Sequence, residues 1–152
     1  MPQISLAEFA DRMDEIMPAI IKGFARRQLN ELYKGKITMP QFLILDFLNK
    51  ARESRMTDLA KFMKVTTAAM TGLVDRLVRD GYAARGPDLK DRRIIKIKLN
   101  PSGNELVRKI NAQRREMIIK IFGKISSSDR EDYLRILKQI KEILAKEEEE
   151  ER

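Results

Sequence analysis

MTDLAKFMKVTTAAMTGLVDRLVRDGYAARGPDLKDRRIIKIKLNPSG, running from Met56 to Gly103, is the stretch whose reading decides the fold. Thr57 is a candidate N-cap for a short helix through Lys64, with Leu59, Ala60, Phe62 and Met63 facing inward. Thr66 caps a second helix that runs to about Asp80 and stops at Gly81, a residue suited to the left-handed conformation that ends helices. Met70, Leu73, Val74 and Leu77 fall at i, i+3, i+4 and i+7, so they form a buried stripe. Thr67, Ala68, Thr71, Gly72 and Asp75 are left on the opposite face, which is unusually small. Tyr82 to Arg85 then reads as a strand and Gly86-Pro87-Asp88 as turn chemistry. The charged loop ends at Arg93, after which Ile95, Ile97 and Leu99 alternate with Lys96 and Lys98 as a half-buried strand requires. Asn100-Pro101 supplies an N-cap and a first-turn proline for another helix. Two short helices, a strand, a charged loop, a strand and a helix, in that order, make a winged helix-turn-helix.

Outward from this centre the chain is helical, so the fold class is mainly α with a small two-stranded β wing. Upstream, Phe9, Met13, Ile16, Ile20 and Phe24 recur at helical spacing within Ile4 to Leu32, and Pro18 either kinks that helix or splits it in two. Thr38-Met39-Pro40 opens a second, mostly buried helix to about Asn49. Downstream, Leu106, Ile110, Met117, Ile121 and Ile125 mark a long one-sided helix. The serines at 126–128 break it, and Ser128 with Glu131 makes a capping box for a last helix through Leu144. The expected organisation is one domain. A winged helix-turn-helix lobe spans 39–99, helices at 4–34 and 101–146 flank it, and an acidic tail at 147–152 is solvated and frayed.

The chain has 152 residues, 43% hydrophobic and 36% charged, enough for one sizeable core, and its net charge of +8 favours a polyanionic partner. The charge is concentrated: residues 52–98 hold twelve basic against six acidic side chains, and half of those twelve lie between Arg85 and Lys98. With no Cys and no His, disulfides, thiol redox sensing, zinc sites built on those ligands and nucleophile-histidine mechanisms are all excluded. No glycine-rich phosphate loop is present, so an enzyme and a cofactor are not expected. Acids occur early in the N-terminus and no run of about 18 apolar residues occurs, so the expected setting is cytoplasmic, without a membrane span.

Two features point to duplex DNA. The second short helix occupies the position that reads the major groove, where Thr67 and Thr71 offer hydroxyls and methyls, Ala68 can touch a thymine methyl and Gly72 permits close backbone approach. The loop carries Lys90, Arg92 and Arg93 beside Asp91, and an arginine oriented by a carboxylate at a hairpin tip can enter a minor groove. Each alone has an ordinary reading, as packing or as a solvated turn. Taken together they leave a DNA-binding regulator, against the alternative of a winged-helix module that meets a protein or an RNA.

Val65 to Gly103 resembles the core of the MarR family of transcriptional regulators. The resemblance rests on Asp75-Arg76-Leu77 ending the recognition helix, Gly81 after it, Asp91-x-Arg93 in the wing, and Leu99 to Gly103. It implies a homodimer held by the terminal helices, binding a pseudo-palindromic operator, with Thr66, Thr67, Ala68, Thr71 and Gly72 at the major groove. The wing residues Lys90, Asp91, Arg92 and Arg93 would serve the minor groove and phosphates. Two departures stand out. Gly72 replaces a residue that is often polar or basic, and Asn100 replaces a common Thr. Asp75 and Arg76 read as a structural ion pair or phosphate clamp. The resemblance further implies a regulator, expected to be a repressor, that either answers to a small organic effector, typically an anionic aromatic compound, or has no effector at all, with Met13, Met17, Phe47 and Met117 as candidate pocket residues.

Overall fold

Thr38 accepts a hydrogen bond from the Gln41 amide while the Gln41 side chain takes the Thr38 amide at 2.8 Å, a reciprocal cap that starts one of six helices among the described residues of the computed structural model. The structure describes residues 3–28 and 35–151. Its elements are α1 (Leu6–Gln28), α2 (Met39–Ala51), β1 (Glu53–Arg55), α3 (Met56–Met63), α4 (Thr67–Arg79), β2 (Ala83–Pro87), β3 (Ile95–Leu99), α5 (Pro101–Phe122) and α6 (Ser127–Glu150). Pro18 lies inside α1 without dividing it, since the helix is continuous from Leu6 to Gln28, and the Ser5 hydroxyl accepts from the Glu8 amide at 3.1 Å at its start. The expected continuation of this helix to Leu32 falls outside the described residues.

The wing hairpin forms as expected, and the sheet has a third strand that the sequence did not suggest. β1 pairs antiparallel with β3, which pairs with β2, giving the order β1-β3-β2. Because β1 takes up the residues as far as Arg55, α3 begins at Met56 with Arg55 as its N-cap and no side-chain cap bond, so Thr57 is not the cap. Phe62 does not face inward either; it is exposed and stacks on Phe47 with ring centroids 4.5 Å apart. β2 extends through Gly86 and Pro87, which are therefore strand, and the turn starts at Asp88. Pro87 is tolerated there because β2 is an edge strand.

Two compact units divide the chain, Met1–Arg114 and Arg115–Arg152, with the boundary inside α5. In the first, Phe42, Ile44, Leu45 and Leu48 of α2, Leu59 and Ala60 of α3, Met70, Val74 and Leu77 of α4, Ala83 and Ile97 of the sheet and Leu106, Val107 and Ile110 of α5 form one buried core. A polar strap joins α2 to α5: Asn111 donates to Asp46 at 3.3 Å, and Lys50 pairs with the same carboxylate at 2.6 Å. Burial pushes the Asp46 carboxyl up, but these bonds together hold it below its ordinary value. Asn100 does not cap α5 with its side chain. Its amide donates to the carbonyls of Gly81 and Ala83, each at 3.3 Å, and ties the helix start to the end of α4. Gly103 follows one turn later, where a Cβ would stand 2.1 Å from the Tyr82 carbonyl oxygen, so only glycine fits.

In the second unit Ser126, not Ser128, is the N-cap of α6, accepting from the Asp129 amide at 3.1 Å. Phe122 packs on Tyr133 with centroids 5.4 Å apart, and Arg130 donates to the Phe122 carbonyl. α6 has no buried residue and stays helical through Glu150, so most of the expected frayed tail is helix. No helix among the described residues is long and apolar enough to cross a membrane.

Candidate nucleic-acid interface

Local chemistry fixes both ends of α4. The Thr66 hydroxyl accepts from the Ala69 amide at 3.1 Å, and at the other end Gly81 adopts φ +81°. There the Tyr82 amide reaches the Leu77 carbonyl at 2.9 Å and the Gly81 amide reaches Val78, the double bond that ends a helix cleanly. Met70, Val74 and Leu77 are fully buried and Leu73 half-buried, which turns Thr67, Ala68 and Gly72 to solvent with Thr71 beside them. The Thr71 hydroxyl donates to the Thr67 carbonyl at 2.8 Å. That proton is spent, so Thr71 presents a methyl and an acceptor to a partner, not a donor. A Cβ built on Gly72 meets nothing within 4 Å, so no neighbour inside the protein requires glycine there.

The wing turn curls around one carboxylate. Asp88 accepts from the amides of Lys90 at 2.7 Å and Asp91 at 3.0 Å, and its other oxygen pairs with Lys96 at 2.8 Å. Lys96 also reaches Glu53 of β1 at 2.6 Å, so one ammonium joins the wing tip to the far strand of the sheet. The Lys96 bond first, then the two amides, hold the Asp88 carboxyl down to about 2. Asp91 performs a second bracing. Both its oxygens take the Arg93 guanidinium, each at 3.1 Å, and the Arg93 amide bonds the same carboxylate. That contact lowers the Asp91 carboxyl and raises the Arg93 guanidinium, yet the Arg93 side chain stays 91% exposed. Arg93 is thus oriented without being buried. Lys90 and Arg92 are exposed and make no ion pair among the described residues.

Asp75 does not pair with Arg76. It takes Arg85 of β2, linking α4 to the wing strand, while Arg76 stays exposed and unpaired among the described residues. Sequence reading missed three positioning residues: Asp88, Lys96 and Arg85. An aspartate placed two and three residues before amides in a turn is a recognisable signal, so Asp88 was findable. Lys96 and Arg85 depend on strands β1 and β2 arriving from elsewhere. The four candidate effector residues occupy three settings. Met13 and Met17 are exposed on α1, Phe47 stacks at the core edge on Phe62, and Met117 is buried on α5.

A helix pair whose second helix has a small exposed face, joined to a basic wing with a braced arginine, is the architecture of the winged-helix class of DNA-binding proteins. Solved structures share the fold. FabT of Streptococcus pneumoniae, crystallised in complex with DNA, superposes with a TM-score of 0.79 at 21% identity, covering 90% of this chain and 98% of FabT. A MarR family protein from Bacillus stearothermophilus gives a TM-score of 0.78 at 20% identity, over 93% of this chain and 99% of that one. Residues 37–95 match the model of the MarR family. The HTH-type transcriptional repressor YetL of Bacillus subtilis (strain 168) is 31% identical over 144 residues, covering 93% of this chain and 80% of YetL. The chain belongs to the MarR family of transcriptional regulators.

Proposed function

We propose that the chain is a homodimeric repressor that binds a pseudo-palindromic operator in duplex DNA. Thr66, Thr67, Ala68, Thr71 and Gly72 of each α4 meet a major groove, while Arg93, with Lys90 and Arg92, meets the adjacent minor groove and phosphates. The observation that carries this reading is the Asp91–Arg93 pair. A guanidinium fixed by two hydrogen bonds yet almost wholly exposed is already ordered for a partner, so binding forfeits little side-chain entropy. Arg76, exposed on the same helix, serves as a phosphate contact.

The homodimer is supported by the apolar stripe of α1. Leu6, Phe9, Met13, Ile16, Met17 and Ile20 lie on one face of that helix and are all exposed, more contiguous apolar surface than a monomer ordinarily leaves wet. On α6, Tyr133, Leu137, Ile140 and Leu144 form a second such stripe. A small organic effector, anionic and aromatic, that releases the operator belongs to the same reading. Selection of bound sequences from a random duplex pool tests the proposal. Enriched half-sites centred about one helical turn apart are the expected result. A single unpaired site would remove the symmetric dimer, and absence of duplex binding at about 50 mM salt would leave the protein or RNA module.

A further inference from the structure

Leu89 lies in the wing turn, two residues past the end of β2, and has a relative exposure of 103%, so the rest of the protein leaves it uncovered. An exposed leucine is ordinary in itself. This one is held out by its neighbours. The Asp88 carboxylate takes the amides of Lys90 and Asp91, so the backbone from 88 to 91 bends around that carboxylate and drives the Leu89 side chain outward. The Lys96 bond to Asp88 and the Arg93 bonds to Asp91 anchor the turn on both sides of Leu89. A rigidly presented leucine therefore stands among Lys90, Arg92 and Arg93, in a position where a merely solvated turn would favour Gly, Asn or Ser.

Resting on the DNA-binding reading above, we propose that Leu89 is the wing's apolar contact to the duplex. It enters the minor groove with Arg93 and wedges against the sugar walls at a flexible step, bending the DNA. The chemistry differs from that of its neighbours. Lysine and arginine gain by meeting phosphates and groove-floor acceptors, whereas leucine gains only by shedding water against apolar surface, which in a minor groove means deoxyribose C–H groups and partly unstacked base faces. Such a contact adds affinity that salt does not screen. It also favours pyrimidine–purine steps, which open at least cost.

The experiment uses the full chain and a duplex that the wild-type protein selects from a random pool, with dyes at both ends. Anisotropy reads affinity and energy transfer between the dyes reads bend. Leu89→Ser should weaken operator binding about 25-fold, fivefold for each of the dimer's two wings, the equivalent of half-burying one leucine per wing, reduce the bend and leave the salt slope unchanged because no charge is lost. Leu89→Met, which keeps apolar length, should stay within about twofold of wild type. Full exposure of the position keeps both variants folded, which thermal melting verifies. A Leu89→Ser protein that matches wild type in affinity and bend overturns this inference alone. A wild-type protein that selects no duplex overturns it together with the reading on which it rests.

Discussion

Asp88 satisfies two backbone amides and an ammonium with one carboxylate, and its chemistry makes the wing sensitive to acid. Its folded value of about 2 lies below the ordinary 3.8, so the stability it contributes is complete above the ordinary value and is lost as pH falls from 3.8 towards 2. A carbon-13 titration of the Asp88 carboxyl should give a midpoint near 2, with the Lys90 and Asp91 amide signals moving in step. A midpoint at 3.8 would mean that the turn is not tied. Arg93 differs in kind, since its bonds to Asp91 hold a guanidinium that stays exposed. Arg93→Ala should weaken binding to every duplex and flatten the dependence of log affinity on log salt by about two units, one for each subunit's arginine, measured by anisotropy over a salt series. An unchanged slope would show that Arg93 releases no counterion.

Between elements, the informative positions are the two glycines of opposite meaning. Gly103 sits where a Cβ would meet the Tyr82 carbonyl at 2.1 Å, so Gly103→Ala must push α5 away from the end of α4. A loss of about 3 kcal/mol in urea unfolding is expected. Gly72 has open space around it and costs the helix about 1 kcal/mol relative to alanine. Gly72→Ala should therefore raise the melting temperature while lowering DNA affinity; a stabilised protein with undiminished binding would deny the close approach of α4 to the bases. These contrasts also show where sequence reading works. α4 was legible because Thr66 and Gly81 act on their own neighbours. β1 was not, because Glu53-Ser54-Arg55 has no strand character of its own and becomes a strand only by pairing with Lys98, Ile97 and Lys96. The mistaken cap at Thr57 follows from that omission. At α6 three consecutive serines are equally able to cap, and only the fold chooses Ser126. The Asp91–Arg93 brace was readable at a spacing of two residues, whereas the Asp75–Arg85 tie required knowing that β2 returns beside α4.

For the whole molecule, the sequence made the terminal helices visible but not what they cover, since an amphipathic stripe looks the same whether it meets its own core or a second chain. In the structure the α1 stripe remains uncovered among the described residues. Ile16→Glu is expected to leave the fold intact, as Ile16 touches no part of the buried core, and to shift sedimentation towards a monomer that binds duplex weakly and without half-site spacing. A dimer that persists would place the interface elsewhere.

The tie between Asp75 and Arg85 gains weight from the core beneath it, where Met70, Val74 and Leu77 of the recognition helix pack with Ala83 and Ile97 of the wing sheet. Helix and wing cannot loosen separately without opening that core. In the proposed dimer a signal therefore has one variable to act on, the span between two intact heads. Release from an operator becomes a question of measure, of whether two rigid callipers still match the pitch of the helix they grip.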